Sequence, residues 1–318
     1  MLHISKSDAD ASDWQLIEGT LADMASAFSV FNPHRQIRKL AIFGSARTHR
    51  QDSAYGLAME VASLAVGCGF EVMTGAGGGV MEGANLGAGE DRSFGLDVQL
   101  PFEHFTNPFI NSSERLLSFR YFHTRKLFFL RETDALVVLP GGFGTLDELF
   151  EVLTLIQTAK NPPVPVILLA APEDDYWQRW QNYINTALLE RGLISPQDNC
   201  LYGSADSAQE ALRQIRRFYR VFNSSRHEAN MLQLRLNCNL PAQEIVILNQ
   251  TFSHLLLDGM ICFKPLANGD NSTGGYLEFC FDQRQVGGLY ALIYYLNSLD
   301  LAPCAPLEHP EQRLNLSQ

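Results

Sequence analysis

The apolar positions of this chain change period along its length. Trp14, Leu16, Ile17, Leu21, Met24, Phe28 and Phe31 recur at roughly helical spacing until Asn32-Pro33 interrupts them, which predicts a helical preface. From Lys39 to about Tyr219 short apolar runs alternate with longer helical patterns. The runs at 40–43, 70–74, 94–100, 135–139 and 164–170 predict strands; the stretches 53–66, the one after Gly79, 113–131 and the one after Leu139 predict helices. Runs such as Ala135-Leu136-Val137-Val138-Leu139 are apolar throughout, as in strands covered on both faces. The alternation predicts an α/β fold: a doubly wound, Rossmann-like parallel sheet with helices on both faces and ligands bound beyond the carboxyl ends of its strands.

The polar stretch 219–230 breaks this rhythm. After it the pattern predicts strands at 232–238, 261–265 and 276–282 and helices at 242–257 and 288–296, with the polar loop 268–275 joining two strands as a hairpin. Three regions follow: an N-terminal helical extension (1–37), a Rossmann-like domain (38–222) and a small α+β module (223–318) without a catalytic set, suited to oligomerisation or regulation. The residues from Pro303 onward read as a loose tail.

Chemistry concentrates where strands meet helices. Pro140-Gly141-Gly142-Phe143-Gly144-Thr145-Leu146-Asp147-Glu148 follows one apolar strand and opens an amphipathic helix on which Leu146, Leu149, Phe150, Leu153 and Ile156 recur. Glycines at such a turn let a ligand approach the backbone, and the unpaired N–H groups of the first helical turn favour a phosphate or carboxylate. A structural alternative stands beside this: Thr145 and Glu148 have capping-box spacing, which would explain those two residues but not three glycines. Gly75-Ala76-Gly77-Gly78-Gly79-Val80-Met81-Glu82 makes a second turn of the same kind. As a dinucleotide fingerprint it is poor, because Val80 stands where the third glycine should be and Asp97 lies inside a strand pattern. Neither turn ends in the Gly-Lys-Ser/Thr of a nucleoside triphosphate loop. Gly44 and Ser45, followed by Arg47, end the first strand, where an ordinary loop and a third ligand-facing turn are both admissible.

In the stretch opened by Asn111-Ser112-Ser113-Glu114, Ser118, Tyr121 and Arg125 would share one helical face. Phe119, Phe122, Phe128 and Phe129 make that stretch largely apolar, so a guanidinium within it needs an anionic partner. His104 and His123 lack metal-pair spacing and read as structural; no metal site is expected.

Charge narrows the partners. With 24 Lys and Arg against 35 Asp and Glu, the net charge of −11 disfavours nucleic acid and anionic membrane. A phosphate-bearing small molecule held locally is the expected ligand. Six scattered cysteines (Cys68, Cys200, Cys238, Cys262, Cys280, Cys304) form no Cys-x-x-Cys pair, no run reaches the roughly 18 apolar residues of a membrane span, and the polar N-terminus is unlike a signal peptide. A soluble, cytoplasmic protein is expected.

Gly77-Gly78-Gly79 with Met81-Glu82, Phe119-Arg120-Tyr121-Phe122-His123-Thr124-Arg125-Lys126 and the Pro140 to Glu148 string together resemble the lonely-guy family of nucleoside 5′-monophosphate phosphoribohydrolases, whose members were long labelled lysine decarboxylases. The resemblance covers about residues 38 to 218, and Leu100-Pro101-Phe102-Glu103 with Asn107-Pro108 is similar to its bacterial branch. It implies hydrolysis of the N-glycosidic bond of AMP or a cytokinin riboside monophosphate to free base and ribose 5-phosphate, with no cofactor, in a homodimer or higher homo-oligomer. It implies Arg125 and Glu148 as catalytic residues. Gly141, Gly142, Gly144 and Thr145 would receive the phosphate, Gly78 and Gly79 would wall the site, and Gly44, Ser45, Gly77, Met81 and Glu82 would complete it. Two other readings stay open: a non-catalytic nucleotide-binding or carrier protein on the same fold, and a true decarboxylase, for which Lys126 beside Arg125 is a poor Schiff-base candidate.

Overall fold

The computed structural model describes residues 10–99, 106–110, 113–228, 230–266 and 274–301. Leu100 to Glu103 with their bacterial-branch resemblance, His104, the Asn111-Ser112 start of a capping motif, most of the 268–275 loop and the tail with Cys304 lie outside the described residues.

The helical preface is α1 (Ala11–Phe31), started by the Asp10 carboxylate, which accepts the amides of Ser12 and Asp13. The alternating region forms a sheet of β1 (Lys39–Phe43), β2 (Glu71–Thr74), β3 (Ser93–Val98), β4 (Leu116–Phe119), β5 (Ala135–Val138), β6 (Val166–Leu169) and β7 (Gly203–Ala205). Their order is β4-β3-β2-β1-β5-β6-β7, and every neighbouring pair is parallel. The direction of winding reverses between β1 and β5. At such a switch point the loops beyond two adjacent strands diverge and leave a crevice.

Successive strand residues feed opposite layers, which is why the runs are apolar throughout. Leu40 and Ile42 pack with α2 (Ser53–Gly67), α3 (Val80–Ala88) and α7 (Ala208–Phe218) through Ala58, Val61, Ala84, Ala211 and Ile215. Ala41 and Phe43 face α1, α4 (Phe122–Glu132), α5 (Phe143–Gln157) and α6 (Tyr176–Tyr183) through Phe31, Phe128, Phe129, Leu149 and Trp177.

The helix expected over 113–131 is corrected by the structure. Residues 116–119 are a parallel edge strand with Leu117 and Phe119 buried and Ser118 exposed, and the helix begins only at Phe122. Ser118 therefore does not share a helical face with Arg125, and Tyr121 is the N-cap.

The polar stretch 219–230 is likewise an element, β8 (Phe222–Glu228). It joins an antiparallel sheet of order β10-β11-β9-β8 with β9 (Met231–Leu236), β10 (Leu256–Pro265) and β11 (Gly275–Phe281). The helix expected over 242–257 stops early, as α8 (Ala242–Thr251), and its tail is the start of β10. The last described element is α9 (Val286–Ser298), whose Tyr290, fully buried, donates its hydroxyl to Val164 O (2.8 Å) and accepts from Val164 N (3.0 Å). One apolar layer runs from Phe31 and Phe94 through Phe218 and Phe222 to Leu234, Phe279 and Tyr290, so the two sheets share a core. Among the described residues no helix is long and apolar enough to cross a membrane.

Candidate active site

Three turns meet beyond the switch point. The Ser45 amide donates to Pro140 O (3.1 Å) and the Val80 amide to Ser45 O (3.0 Å), so the loops after β1, β2 and β5 are tied by main-chain bonds. Glycine is required where they touch: Gly79 sits at φ +61°, and a β-carbon there would lie 2.3 Å from Ser45 O. At Gly44 a β-carbon would strike Val80 Cγ1 at 2.6 Å, and at Gly141 it would strike Thr145 Oγ1 at 2.1 Å. These glycines close the turns upon one another. Gly142 and Gly144 differ: a β-carbon at either meets nothing within 4 Å. Space for a ligand lies over those two, at the start of α5.

The capping alternative fails on position. Helix α5 begins at Phe143 with Gly142 as N-cap and no side-chain cap, so Thr145 is already its third residue. Thr145, Glu148, Leu149, Val152 and Ile156 are the buried stripe of α5, which puts a carboxylate among core-facing positions. There Glu148 is 5% exposed, and its Oε1 accepts from Arg125 Nη2 at 3.1 Å. Lys126 Nζ lies 3.6 Å from Glu148 Oε2 and pairs at 2.8 Å with both Asp147 and Glu151. Burial pushes the Glu148 carboxyl above the ordinary glutamate range, against the pull of Lys126 and Arg125. Burial also works against the Lys126 ammonium, but its hydrogen bonds to Asp147 and Glu151 prevail and raise it. Lys126 is thus held protonated by three carboxylates, the opposite of what a Schiff-base nucleophile requires.

Arg125 lies one turn into α4, with Phe122 and Phe129 at 5.2 and 5.9 Å from its guanidinium carbon. Its Nε is buried without a hydrogen-bond partner, an orphaned donor beside an open turn. The Gly75 to Gly77 turn lies under Met81, whose Cε would be 2.6 Å from a Gly77 β-carbon. Asn107 braces that turn: its Nδ2 donates to Ala76 O (3.1 Å), Gly77 O (3.0 Å) and Asn85 Oδ1 (2.9 Å). Ala76 itself is held at φ +61°, a costly conformation for a residue with a β-carbon.

Not every residue singled out from sequence joins this group. Glu82 is turned to α2, where its Oε1 accepts from Arg50 Nε at 2.7 Å and Tyr55 Oη at 3.2 Å. His123 pairs with Thr20 on α1 (3.3 Å). Two participants have roles that no sequence pattern shows. Lys126, present in the motif and a poor Schiff-base candidate, turns out to bridge carboxylates of α5, and Tyr176, whose hydroxyl donates to Gly141 O at 2.6 Å, carries no motif at all. An open cleft of about 500 Å³, lined by Ser45, Arg47, Asp52, Pro140, Gly141 and Asp174, adjoins the turn; Arg125 and Glu148 do not line it. Among the described residues no group of three or more His, Cys, Asp or Glu is placed to hold a metal ion.

A backbone anion cradle next to a buried carboxylate–guanidinium pair can hold a phosphate and stabilise positive charge a few ångströms away. Residues 78–215 match the family model described as "Possible lysine decarboxylase". Cytokinin riboside 5′-monophosphate phosphoribohydrolase LOG7 of Arabidopsis thaliana is 38% identical over 101 residues, 32% of this chain and 45% of that protein. LOG1 of the same plant is 33% identical over 122 residues, 37% of this chain and 55% of its own length. This chain thus spans about half the length of the curated relatives it matches. Among solved structures, the molybdenum cofactor binding protein of the phototrophic bacterium Rippkaea orientalis aligns with a TM-score of 0.42 and 18% identity over 57% of this chain and 96% of that one. The segment from residue 78 to 215, which carries Arg125, Glu148 and the Gly142–Gly144 turn, is therefore the part of this chain that is similar to the lonely-guy phosphoribohydrolases.

Proposed function

We propose that this protein hydrolyses the N-glycosidic bond of a nucleoside 5′-monophosphate, AMP or a cytokinin riboside monophosphate, releasing the free base and ribose 5-phosphate. The observation that carries this reading is the Arg125–Glu148 pair, 3.1 Å apart, beside the open Gly142 and Gly144 turn at the switch point.

The 5′-phosphate sits on the amides at the start of α5, where the helix dipole favours an anion. The ribose then lies over Glu148. As the C1′–N bond lengthens, positive charge grows on C1′ and the ring oxygen, and the Glu148 carboxylate stabilises it. Water attacks C1′ as the C1′–N bond breaks; its proton passes to the carboxylate and from there, directly or through solvent, to the released nitrogen of the base, which leaves Glu148 as it began. Burial makes Glu148 a stronger base than an exposed glutamate, against the opposing pull of Lys126 and Arg125. Arg125 acts by charge and hydrogen bonding on the departing base or on the anionic part of the nucleotide. Phe143 at the start of α5, 96% exposed, and Phe122 at the start of α4, 51% exposed, are apolar side chains that a second copy could cover, which supports assembly as a homodimer or higher homo-oligomer with the site near the interface.

The experiment is incubation of purified protein with a panel of nucleoside 5′-monophosphates and the matching nucleosides, scored for free base by chromatography. Base is expected from monophosphates alone, since the cradle reads the phosphate. Equal rates on AMP and adenosine would refute the cradle, and tight nucleotide binding with no base released would make the protein a nucleotide carrier instead.

A further inference from the structure

The helix that carries Arg125 lacks a cap of its own. Tyr121, its N-cap, offers no side chain to the first-turn amides, and the chain enters from an edge strand only two residues earlier. A carboxylate from the N-terminal helix instead holds the chain that leads into α4. Asp23 on α1 is 7% exposed, and its Oδ2 accepts from Thr124 Oγ1 (2.6 Å), Arg120 N (3.0 Å) and Tyr121 N (3.4 Å). A negative charge at this end also complements the helix dipole.

The rest of α1 is fitted to the same segment. A β-carbon at Gly19 would lie 2.8 Å from the Tyr121 ring, so a larger residue there would displace that ring. Tyr121 Oη reaches Gln15 O at 3.5 Å. Arg125 follows Thr124 directly, and its amide donates to Tyr121 O (3.2 Å) in the turn that Asp23 anchors.

We infer that Asp23 is a positioning residue: from α1 it ties down the Arg120–Tyr121 main chain that leads into α4 and the Thr124 side chain in its first turn, and through them sets the Arg125 guanidinium against Glu148. This rests on the hydrolase reading for its catalytic consequence, not for its geometry. Through Asp23 the N-terminal helix then helps to shape the site. The phosphate cradle lies on α5 and does not depend on Asp23, so the two functions separate.

The test uses the full chain with Asp23→Ala, Asp23→Asn and, as a control on α1, Thr20→Ala. Asp23→Ala is expected to lower kcat on AMP by roughly 10- to 100-fold, the scale of a misplacement of about 1 Å, with KM within about twofold of wild type. Asp23→Asn, which keeps a carbonyl oxygen for the amides and the Thr124 hydroxyl, should recover most of the loss, and Thr20→Ala should leave kcat near wild type. Two readouts need no turnover: amide exchange over residues 120–125 should speed up in Asp23→Ala, and the arginine Nε resonance that Arg125→Lys removes should shift. Unchanged kcat together with an unmoved Arg125 resonance in Asp23→Ala overturns the inference, as does an equal kcat loss in Thr20→Ala. If wild-type protein releases base from no monophosphate, the hydrolase reading falls, and the exchange and resonance measurements still decide whether Asp23 positions Arg125.

Discussion

Burial and two nearby cations pull the Glu148 carboxyl in opposite directions, and burial prevails. Burial raises its carboxyl above the 4.5 of an ordinary glutamate, so the folded protein binds that proton more tightly than the unfolded chain does. The sign follows: the stability this group contributes is complete below the unfolded value and is lost as pH rises through the raised folded one. Glu148→Gln should therefore cost little stability at neutral pH, or even raise Tm, while turnover drops on the order of 10²–10³ and nucleotide affinity stays close to wild type. Melting curves and single-turnover rates on one preparation check both halves; a large Tm loss with normal turnover would make Glu148 a packing residue. Activity that needs the carboxylate falls on the acid side, with a midpoint above 4.5. Lys126→Met removes a cation that pulls this value down, so the acid limb should move to higher pH. A limb that stays in place, measured as kcat against pH, would separate Lys126 from the titration of Glu148. Arg125→Ala should remove most activity. Arg131, on the same helix but stacked over Phe28 at 4.6 Å, should on mutation to Ala lower Tm and spare kcat.

At the level of elements, the same glycine-rich turn contains two kinds of glycine, and substitution should tell them apart. Gly142→Val adds atoms to open space at an extended backbone position, so Tm should hold while KM for a monophosphate rises or binding vanishes. Gly141→Ala drives a β-carbon into Thr145 and should instead destabilise the fold. The opposite pattern, read by calorimetry and AMP titration, would move the ligand space to the other side of the turn. The parallel strands were legible because both faces are buried and the runs are apolar without gaps. The edges were not. In β4 only Leu117 and Phe119 are buried, and in β8 only Phe222 and Asn223, so one looked like a helix start and the other like a linker. Arg125 and Glu148 stood out by motif, whereas the Lys126 links to Asp147 and Glu151 cross between two helices and obey no period within either. Asp23 lies 101 residues from Thr124, beyond the reach of any local pattern.

The whole molecule constrains what can be cut away. Helix α9 comes from the C-terminal module, yet it is built into the layer that backs α5 and the parallel sheet. Asn297 accepts from Val221 N at 2.7 Å and donates to Phe218 O at 2.6 Å, and Arg220 Nε donates to Asn297 O at 3.0 Å. A chain ending at Arg220 would bare Phe218, Tyr219 and Val164 at once, and we expect it to aggregate or to lack cooperative unfolding rather than to survive as a small enzyme. A subtler change tests the same coupling. Tyr290→Phe leaves the buried Val164 amide and carbonyl without their partner, a cost of roughly 1–3 kcal/mol, and Tm should fall by a few degrees. All three tryptophans lie outside the module, and Trp177 and Trp180 are buried against the shared core. Their fluorescence should therefore report the Tyr290→Phe shift at the same temperature as circular dichroism and loss of activity. Separate transitions, or a well-folded and active chain ending at Arg220, would mean that the parallel sheet holds its site without the second sheet and that the common core is only a contact.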